Sequence, residues 1–587
     1  MLSKYRPQLR RDNPFLPMSS SNSLIFKTGA QRSERPVFIN KVAPCRHACP
    51  IAIDIPTAFH LASGGDIDGA LRTYLKDNPL PGVCGRVCYH PCEAECNRGD
   101  FDESVNIRSL ERFLSDRGQV DVREHVPIHS REQTIAVIGS GPAGLSAAYH
   151  LARSGYRVTI FEGRSELGGM LRYGIPSYRL PRAVVDREIE RIVSLGIQTR
   201  PSTTVGIEVS WKDLELFDAI FLSVGLQSGE ILFEAEAAGK DILTGLDFLA
   251  HPQQWDLDDE SLKTLIIGGG NVAIDVARTL VRIRRGNGTN ITVVCPESRD
   301  QMSALEEEVD EAAEEGITIL PGWAPHVLHR ENGQPVSLDF FRAAVTIDET
   351  SGAIEIKRAG EEIRHHRADK IIIAIGQDVR SDSLPPGIKI NNGRIVTDRY
   401  GSTSLPKVFA GGDAAGEKAF VADAVASGKR VALAISCFLE GRDLDAVFET
   451  CRIGESQGFS FHRFMGEEDE DSVDLRSVVP FNHINTLFFL ESPRNNPERL
   501  EPGDRKSTFE EVTRGLEPYQ MEEEIARCFR CGTCIDCGAC LDFCPDLSII
   551  KDVRAGIYSF DADYCKGCGV CSVACARGVV EMVSEKP

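Results

Sequence analysis

Nineteen cysteines are spread unevenly over 587 residues: six lie between Cys45 and Cys96, ten between Cys528 and Cys575, and only Cys295, Cys437 and Cys451 elsewhere. Thiols clustered at short regular spacing suit metal binding rather than disulfides. The densest stretch, CFRCGTCIDCGACLDFCPD from residue 528, holds Cys534, Cys537, Cys540 and Cys544 followed by Pro545, and CKGCGVCSVACARG adds Cys565, Cys568, Cys571 and Cys575. Both follow the C-x2-C-x2-C-x3-C run, in which three thiolates hold a near [4Fe-4S] cube and the fourth holds a distant one. Cys575 is therefore expected to complete the first cluster and Cys544 the second. Zinc sites want two cysteine pairs separated by ~12–20 residues, which is a different pattern. One departure is Ala576, which stands where the run has proline.

Two glycine-rich turns carry the next chemistry. Residues 134 to 139 (TIAVIG) read as a buried strand, and Gly139-x-Gly141-x-x-Gly144 then opens an apolar helix through Leu151. The following strand, Arg157 to Phe161, ends in Glu162, at the distance beyond Gly144 where a carboxylate can take a ribose 2'-hydroxyl. Glycines permit close backbone approach to a pyrophosphate, whose charge the helix N-terminus favours. A second copy runs from the strand Leu262 to Ile267 into Gly268-x-Gly270-x-x-Ala273 and the helix Asn271 to Arg284. Farther on, FAGGDAAGEKAFVADAVASGKRVA (residues 409–432) joins an apolar strand to Gly411-Gly412-Asp413 and a small-residue helix, with Asp413 suited to a flavin's ribityl or phosphate groups.

The elements that must hold these groups come from a globular composition, with 42% hydrophobic, 26% charged and 7% aromatic residues and a mean hydropathy of -0.18. The length suffices for three or four domains of ~100–200 residues. Sixty-six basic against 87 acidic residues give a net charge of -21, which argues against a nucleic-acid surface. No apolar run approaches the ~18–20 residues of a membrane helix. The N-terminus, MLSKYRPQLRRDNPFLPMSSSNS, lacks the apolar stretch of a secretory signal and reads as an extended arm. A cytoplasmic setting is expected, since it keeps thiols reduced.

The segments VIGSGPAGLSAAYHLARSGYRVTIFE, LGGMLRYGIPSYRLP, IIGGGNVAIDVARTL and VFAGGDAA make residues from about 35 to 445 similar to the small, flavin-bearing subunit of NAD(P)H-dependent glutamate synthase and its relatives. The resemblance implies that Gly139, Gly141, Gly144, Glu162, Gly169 and Asp413 hold FAD, and that Gly268, Gly270, Asn271 and Ala273 hold the nicotinamide nucleotide. VCGRVCYHPCEAECNRG resembles the iron–sulfur region that precedes FAD in the same family. That likeness implies a [4Fe-4S] cluster on Cys49, Cys88 and Cys92, with Glu111 of NIRSLERFL as fourth ligand; the alternative is a surface position for Glu111. The family's CxxC pair upstream of Cys45 is missing, which leaves Cys45 and Cys96 for a second cluster. Either the surplus pair Cys528 and Cys531 completes it, or the cluster is absent and Cys84, like Cys295, Cys437 and Cys451, is a buried thiol.

Over the whole chain the similarity extends to flavoproteins of this type with a C-terminal ferredoxin domain, such as those serving 2-oxoacid:acceptor oxidoreductases, benzoyl-CoA reduction or dissimilatory sulfite reductase. The expected class is α/β, with two nested Rossmann-like nucleotide-binding domains, an N-terminal helical Fe-S domain and a C-terminal α+β bacterial ferredoxin-like domain. The expected order is an extended arm (1–40), the helical Fe-S domain (41–130), the FAD domain in two parts (131–255 and 371–445) around an inserted NAD(P) domain (256–370), a connector (446–520) and the ferredoxin-like domain (521–587). Within the connector the acidic run 468–471 reads as a solvated face.

The implied function is an NAD(P)H-linked flavin/iron–sulfur oxidoreductase subunit. Hydride would pass between NAD(H) or NADP(H) and FAD, and single electrons through three to four [4Fe-4S] clusters to or from a ferredoxin or a partner enzyme such as a 2-oxoacid oxidoreductase. The cofactors carry this chemistry, and no acid–base side chain is assigned. The rivals are a glutamate synthase small subunit, an electron donor to sulfite reductase or benzoyl-CoA reductase, and a non-catalytic nucleotide-binding scaffold. A disulfide reductase needs a redox cysteine pair beside the flavin, and none exists between residues 97 and 527. Where the family carries adjacent arginines to grip the 2'-phosphate of NADPH, this chain has Pro296 and Glu297, with Arg299 close by. Glu297 follows the strand Ile291 to Cys295, where the fingerprint places its acidic ribose ligand, so NADH is the expected nucleotide.

Overall fold

The computed structural model describes residues 27–125, 131–229, 232, 241–286, 288–331, 334–347, 354–380, 384–416, 419–467, 473–552 and 557–585. Residues 1–26 of the expected arm and the acidic run 468–471 lie outside the described residues. Two compact units are present, one of Cys45–Asp469 with Ser492–Cys528, the other of Met1–Pro44, Glu470–Glu491 and Phe529–Pro587.

The larger unit is mixed α/β. Its first sheet has five parallel strands in the order Val408–Ala410, Ala219–Leu222, Thr134–Ile138, Arg157–Phe161 and Gln198–Arg200. Thr134–Ile138 is the middle strand and, apart from Thr134, is wholly buried, which is why it reads as an unbroken apolar run. The helices Pro142–Arg153 and Val421–Glu440 pack against each other, with the Ser146 hydroxyl donating to Val425 O at 2.7 Å.

A second parallel sheet runs Thr318–Pro321, Ile291–Cys295, Thr264–Ile267, Lys370–Ile373 and Ile242–Thr244. It takes strands from both sides of the 256–370 segment, because Ile242–Thr244 pairs with Lys370–Ile373 through Ile371↔Ile242 to Ile373↔Thr244. So short a strand carries no periodicity of its own. From this domain projects an antiparallel meander, Trp323–Glu331, Gln334–Ile347 and Ile354–Arg367.

Short helices precede the first sheet: Ile55–Ser63, Ile67–Leu75, Pro81–Val87, Pro91–Ala94 and Ile107–Arg117. Asp54, Asp66 and Asn106 cap three of them by accepting from Thr57 N, Gly69 N and Ser109 N. The helix Pro518–Arg527 joins this bundle by burying Met521 and Ile525 in the same core. The aperiodic segment before it is ordered by charge: the Arg494 guanidinium reaches Glu93 at 2.5 Å, and Asn495 N donates to Glu524 at 2.6 Å.

The smaller unit is built on the helices Ala539–Asp542 and Val570–Ala574 and the hairpin Ile549–Asp552/Ile557–Phe560. Glu34–Phe38 pairs antiparallel with Val580–Ser584, and Asn40–Val42 pairs parallel with Val473–Val478. The end of the expected arm is thus a sheet strand of the cysteine-rich module.

Candidate functional site

The first glycine turn has space for only one kind of residue at two positions. A Cβ on Gly139, whose φ is +101°, would sit 2.4 Å from Ser223 O, and one on Gly144 would sit 2.0 Å from Gly139 O. Gly141, by contrast, has nothing within 4 Å of that direction, so its face is open to a ligand at the start of the helix Pro142–Arg153. Glu162 is buried, and its carboxylate accepts from Ser140 N at 3.0 Å, Ser140 Oγ at 2.5 Å and Arg164 N at 2.9 Å. Gly169 lies against Gly141, and Gly412 lies against Ala143. That contact brings Asp413 to the mouth of the turn. Asp413 Oδ1 is buried without a hydrogen-bond partner, and desolvation pushes its carboxyl up to about 6 against the pull of Arg394. A buried orphan carboxylate beside an open helix N-terminus fits a hydroxylated, phosphate-bearing group such as FAD.

In the second turn Gly268 lies against Ala374 O, and Gly270 caps the helix Asn271–Ile283. Asn271 Oδ1 accepts from Leu305 N at 3.0 Å, and Ala273 is fully buried, so these two shape the turn from behind. Glu297 Oε2 is buried, has no hydrogen-bond partner and faces Gly269. Arg299 is turned to Asp310 at 2.5 Å. The turn therefore offers an acceptor, which suits a free ribose hydroxyl.

Sequence reasoning missed a buried ion network behind this helix. Arg179 of the SYRLP segment pairs with Asp275 at 2.8 Å and Glu308 at 3.0 Å; Arg278 reaches Glu308, Glu311 and Glu315; Arg282 holds Glu315 at 2.8 Å; and Arg505 joins Glu314 and Glu315. Asp275, Arg278 and Arg282, charged residues within the mainly apolar helix Asn271–Ile283, were the available signal.

In the helical bundle Cys49, Cys84 and Cys92 are buried and Cys88 is half-buried. Desolvation pushes the Cys49 thiol up to about 11, and Cys49 and Cys88 both feel Glu111. Cys92 feels Cys49, Cys88 and Cys45. Glu111 is buried rather than on the surface, and its Oε1 accepts from Asn78 Nδ2 at 2.7 Å. His90 N donates to Cys88 Sγ at 3.3 Å, the kind of contact that tunes a cluster. The donor set of three thiols and a carboxyl suits a [4Fe-4S] cube. Cys84 also lies near Glu111 and Cys88. Arg98, close behind Cys96 in the chain, donates to Arg527 O at 3.0 Å, which ties the Cys96 loop to the residue before Cys528.

Tyr89, beside Cys88, stacks on Phe420 with ring centroids 4.5 Å apart and donates to Asp423 at 3.5 Å. The cysteine loop is thus laid on the segment that follows Asp413, a contact no local pattern announces.

In the smaller unit Cys544, Cys565, Cys568 and Cys571 line one cavity with Pro36, Pro545 and Met582. Burial pushes the Cys571 thiol up to about 11, with Cys565, Cys544 and Cys568 acting in the same sense. Cys540 is pushed up to about 12 by burial and by Cys575, Cys534 and Cys537. The two sets are crossed, each run giving its last cysteine to the other group, as two cubes require. Cys531 is buried in this unit.

Residues 133–428 match the family of pyridine nucleotide-disulphide oxidoreductases, and residues 23–121 match dihydropyrimidine dehydrogenase domain II, 4Fe-4S cluster. The chain is 33% identical over 528 residues to the NADP(+)-dependent formate dehydrogenase subunit beta of Moorella thermoacetica, covering 83% of this chain and 70% of the relative. It is 33% identical over 539 residues to the NADPH-Fe(3+) oxidoreductase subunit beta of Geobacter sulfurreducens, covering 84% and 76%. With the NAD-dependent dihydropyrimidine dehydrogenase subunit PreT of Escherichia coli it shares 35% identity over 404 residues, covering 68% and 92%.

Proposed function

Because the chain belongs to the pyridine nucleotide-disulphide oxidoreductase family and carries a 4Fe-4S domain ahead of it, it is an NAD(P)H-dependent flavin and iron–sulfur oxidoreductase, and we propose that it exchanges single electrons with a catalytic partner subunit or a ferredoxin. The relatives are themselves named as subunits, and no described helix is long and apolar enough to cross a membrane. The observation that carries the reading is the Tyr89–Phe420 stack, which joins the loop of Cys88 to the chain segment beside Asp413.

Bound FAD would supply the exchange between hydride and single electrons, and bound [4Fe-4S] clusters a path for the single electrons. The chain's residues hold these groups in place. Gly141 and the helix behind it take the pyrophosphate, and Glu162, fixed by Ser140 and Arg164, takes a ribose hydroxyl. Asp413 gains the polar partner it lacks. Cys49, Cys88, Cys92 and Glu111 hold one cube, and the crossed sets of the smaller unit hold two. Rings stacked at 4.5 Å leave no water layer between Tyr89 and Phe420.

Anaerobically purified protein is expected to contain one FAD and at least about 12 iron atoms per chain, from four per cube, and to reduce an artificial one-electron acceptor with a reduced nicotinamide. A reproducible value near 8 iron atoms, or nucleotide binding without acceptor reduction, would overturn the reading. We further propose a fourth cube that uses Cys45, Cys96 and Cys528, which raises the count to about 16. Cys528→Ser should then return it to about 12; an unchanged count removes Cys528 from the ligands.

A further inference from the structure

The meander Trp323–Glu331, Gln334–Ile347, Ile354–Arg367 carries four of the chain's 13 histidines, and two of them converge on one carboxylate. Asp339 stands directly across from His365 in the antiparallel pair, while His329 pairs with Ser337, two positions from Asp339 and so on the same face. His329 Nε2 lies 2.8 Å from Asp339 Oδ2, and His365 Nδ1 lies 2.7 Å from Asp339 Oδ1. The imidazole rings are 5.7 Å apart, and one donor atom from each residue lies within 4.8 Å of the others. Both histidines are exposed, and Asp339 is half-buried between them.

We propose that His329, Asp339 and His365 form a binding site for a zinc-class divalent cation, separate from the flavin and iron–sulfur sites. Two imidazoles and one carboxylate give an N2O set, which suits zinc, nickel or copper rather than the all-oxygen shells of magnesium or calcium. Bonds of about 2.0–2.2 Å in a tetrahedral shell put donors about 3.4 Å apart. Both rings are exposed, so side-chain rotation can bring the donors, now within 4.8 Å of one another, towards that spacing. Each neutral imidazole would bind the cation through the nitrogen now facing Asp339, its single ring proton shifting to the other nitrogen, and the carboxylate would turn from accepting those protons to ligating the cation. Three ligands from three successive strands leave a fourth position for water or a side chain, and binding pins the meander's register.

The test uses the full chain with its flavin and clusters, anaerobically, at pH 7.5. Protein is equilibrated with about two equivalents of zinc, desalted, and assayed for zinc and iron in the same fractions. The wild type should retain about one zinc per chain with its iron unchanged. Asp339→Ala and His365→Ala should each weaken retention at least about tenfold, whereas His326→Ala, on the same strand as His329, should not. No retained zinc, zinc gained only as iron is lost, or equal retention by Asp339→Ala would each overturn the site. Far-UV circular dichroism and FAD content confirm that the variants fold.

Discussion

Replacing Lys429 by Met is expected to destabilise the larger unit by about 3–5 kcal/mol, the cost of leaving one buried charge without its partner. Lys429 lies in the helix Val421–Glu440 and is fully buried. Its ammonium donates to Ile51 O and Phe459 O, each at 2.6 Å, and to Asp77 Oδ1 at 2.9 Å, so all three protons are used. Asp77 is equally buried, and the same oxygen accepts from Phe461 N at 3.0 Å. Burial alone would push the Asp77 carboxyl up, but Lys429, His462 and the Phe461 amide outweigh it and hold the group at about 2. With its folded value depressed from 3.8, the Asp77 contribution is complete above about pH 4 and lost as pH falls towards 2.

Methionine fills the lysine's volume but leaves that carboxylate uncompensated. Asp77→Asn in the Lys429→Met background should restore much of the loss, since a pair removed together costs less than one partner removed alone. Because a chain of several domains need not unfold in one step, the measurement is the midpoint shift of the transition reported by flavin release, across the full double-mutant cycle. A single-variant cost below about 1 kcal/mol, or a double variant no better than Lys429→Met, would show that the pair does not hold these elements together. Ile51 lies close behind Cys49 in the chain, so the same ammonium ties the helix behind the flavin segment to the cysteine loop.

What could be read from the chain beforehand was what local backbone geometry imposes. The x2 and x3 spacings fix where thiols point within one turn, and the glycine turns follow from close backbone approach, as Gly139 against Ser223 O shows. The parallel α/β architecture followed from those turns and the buried strands around them. Contacts between distant segments left no such trace. Glu34–Phe38 has an edge-like burial pattern and finds its partner, Val580–Ser584, at the opposite end of the chain. Arg527, at the start of the expected ferredoxin-like domain, is buried among Glu524, Asp102 and Glu103 O, partners that no local pattern announces. The Arg179 to Arg505 network and the Tyr89–Phe420 stack are of the same kind: each residue type is ordinary, and only the folded chain brings the partners together.

Nucleotide choice is where one side chain is expected to have the largest effect on activity. The wild type should favour NADH, and Glu297→Arg should shift the ratio of kcat/KM for NADPH over NADH upward by at least about tenfold, which is about 1.4 kcal/mol of transition-state discrimination. Glu297 Oε2 is buried beside Gly269 with no hydrogen-bond partner, and a ribose 2'-hydroxyl would supply the missing donor. A 2'-phosphate would bring negative charge against that carboxylate. Arg299, the nearby cation, is engaged by Asp310 at 2.5 Å and would have to leave it to compensate. The relatives divide on this point, two being named for NADP(+) or NADPH and one for NAD, so the family alone does not set the choice. Steady-state acceptor reduction with both nucleotides measures the ratio, and FAD and iron content should be the same in the variant, since Glu297 touches neither the first glycine turn nor a cysteine set. A wild type that prefers NADPH tenfold would mean that Glu297 turns away from the nucleotide, and that a basic residue outside the second glycine turn grips the phosphate.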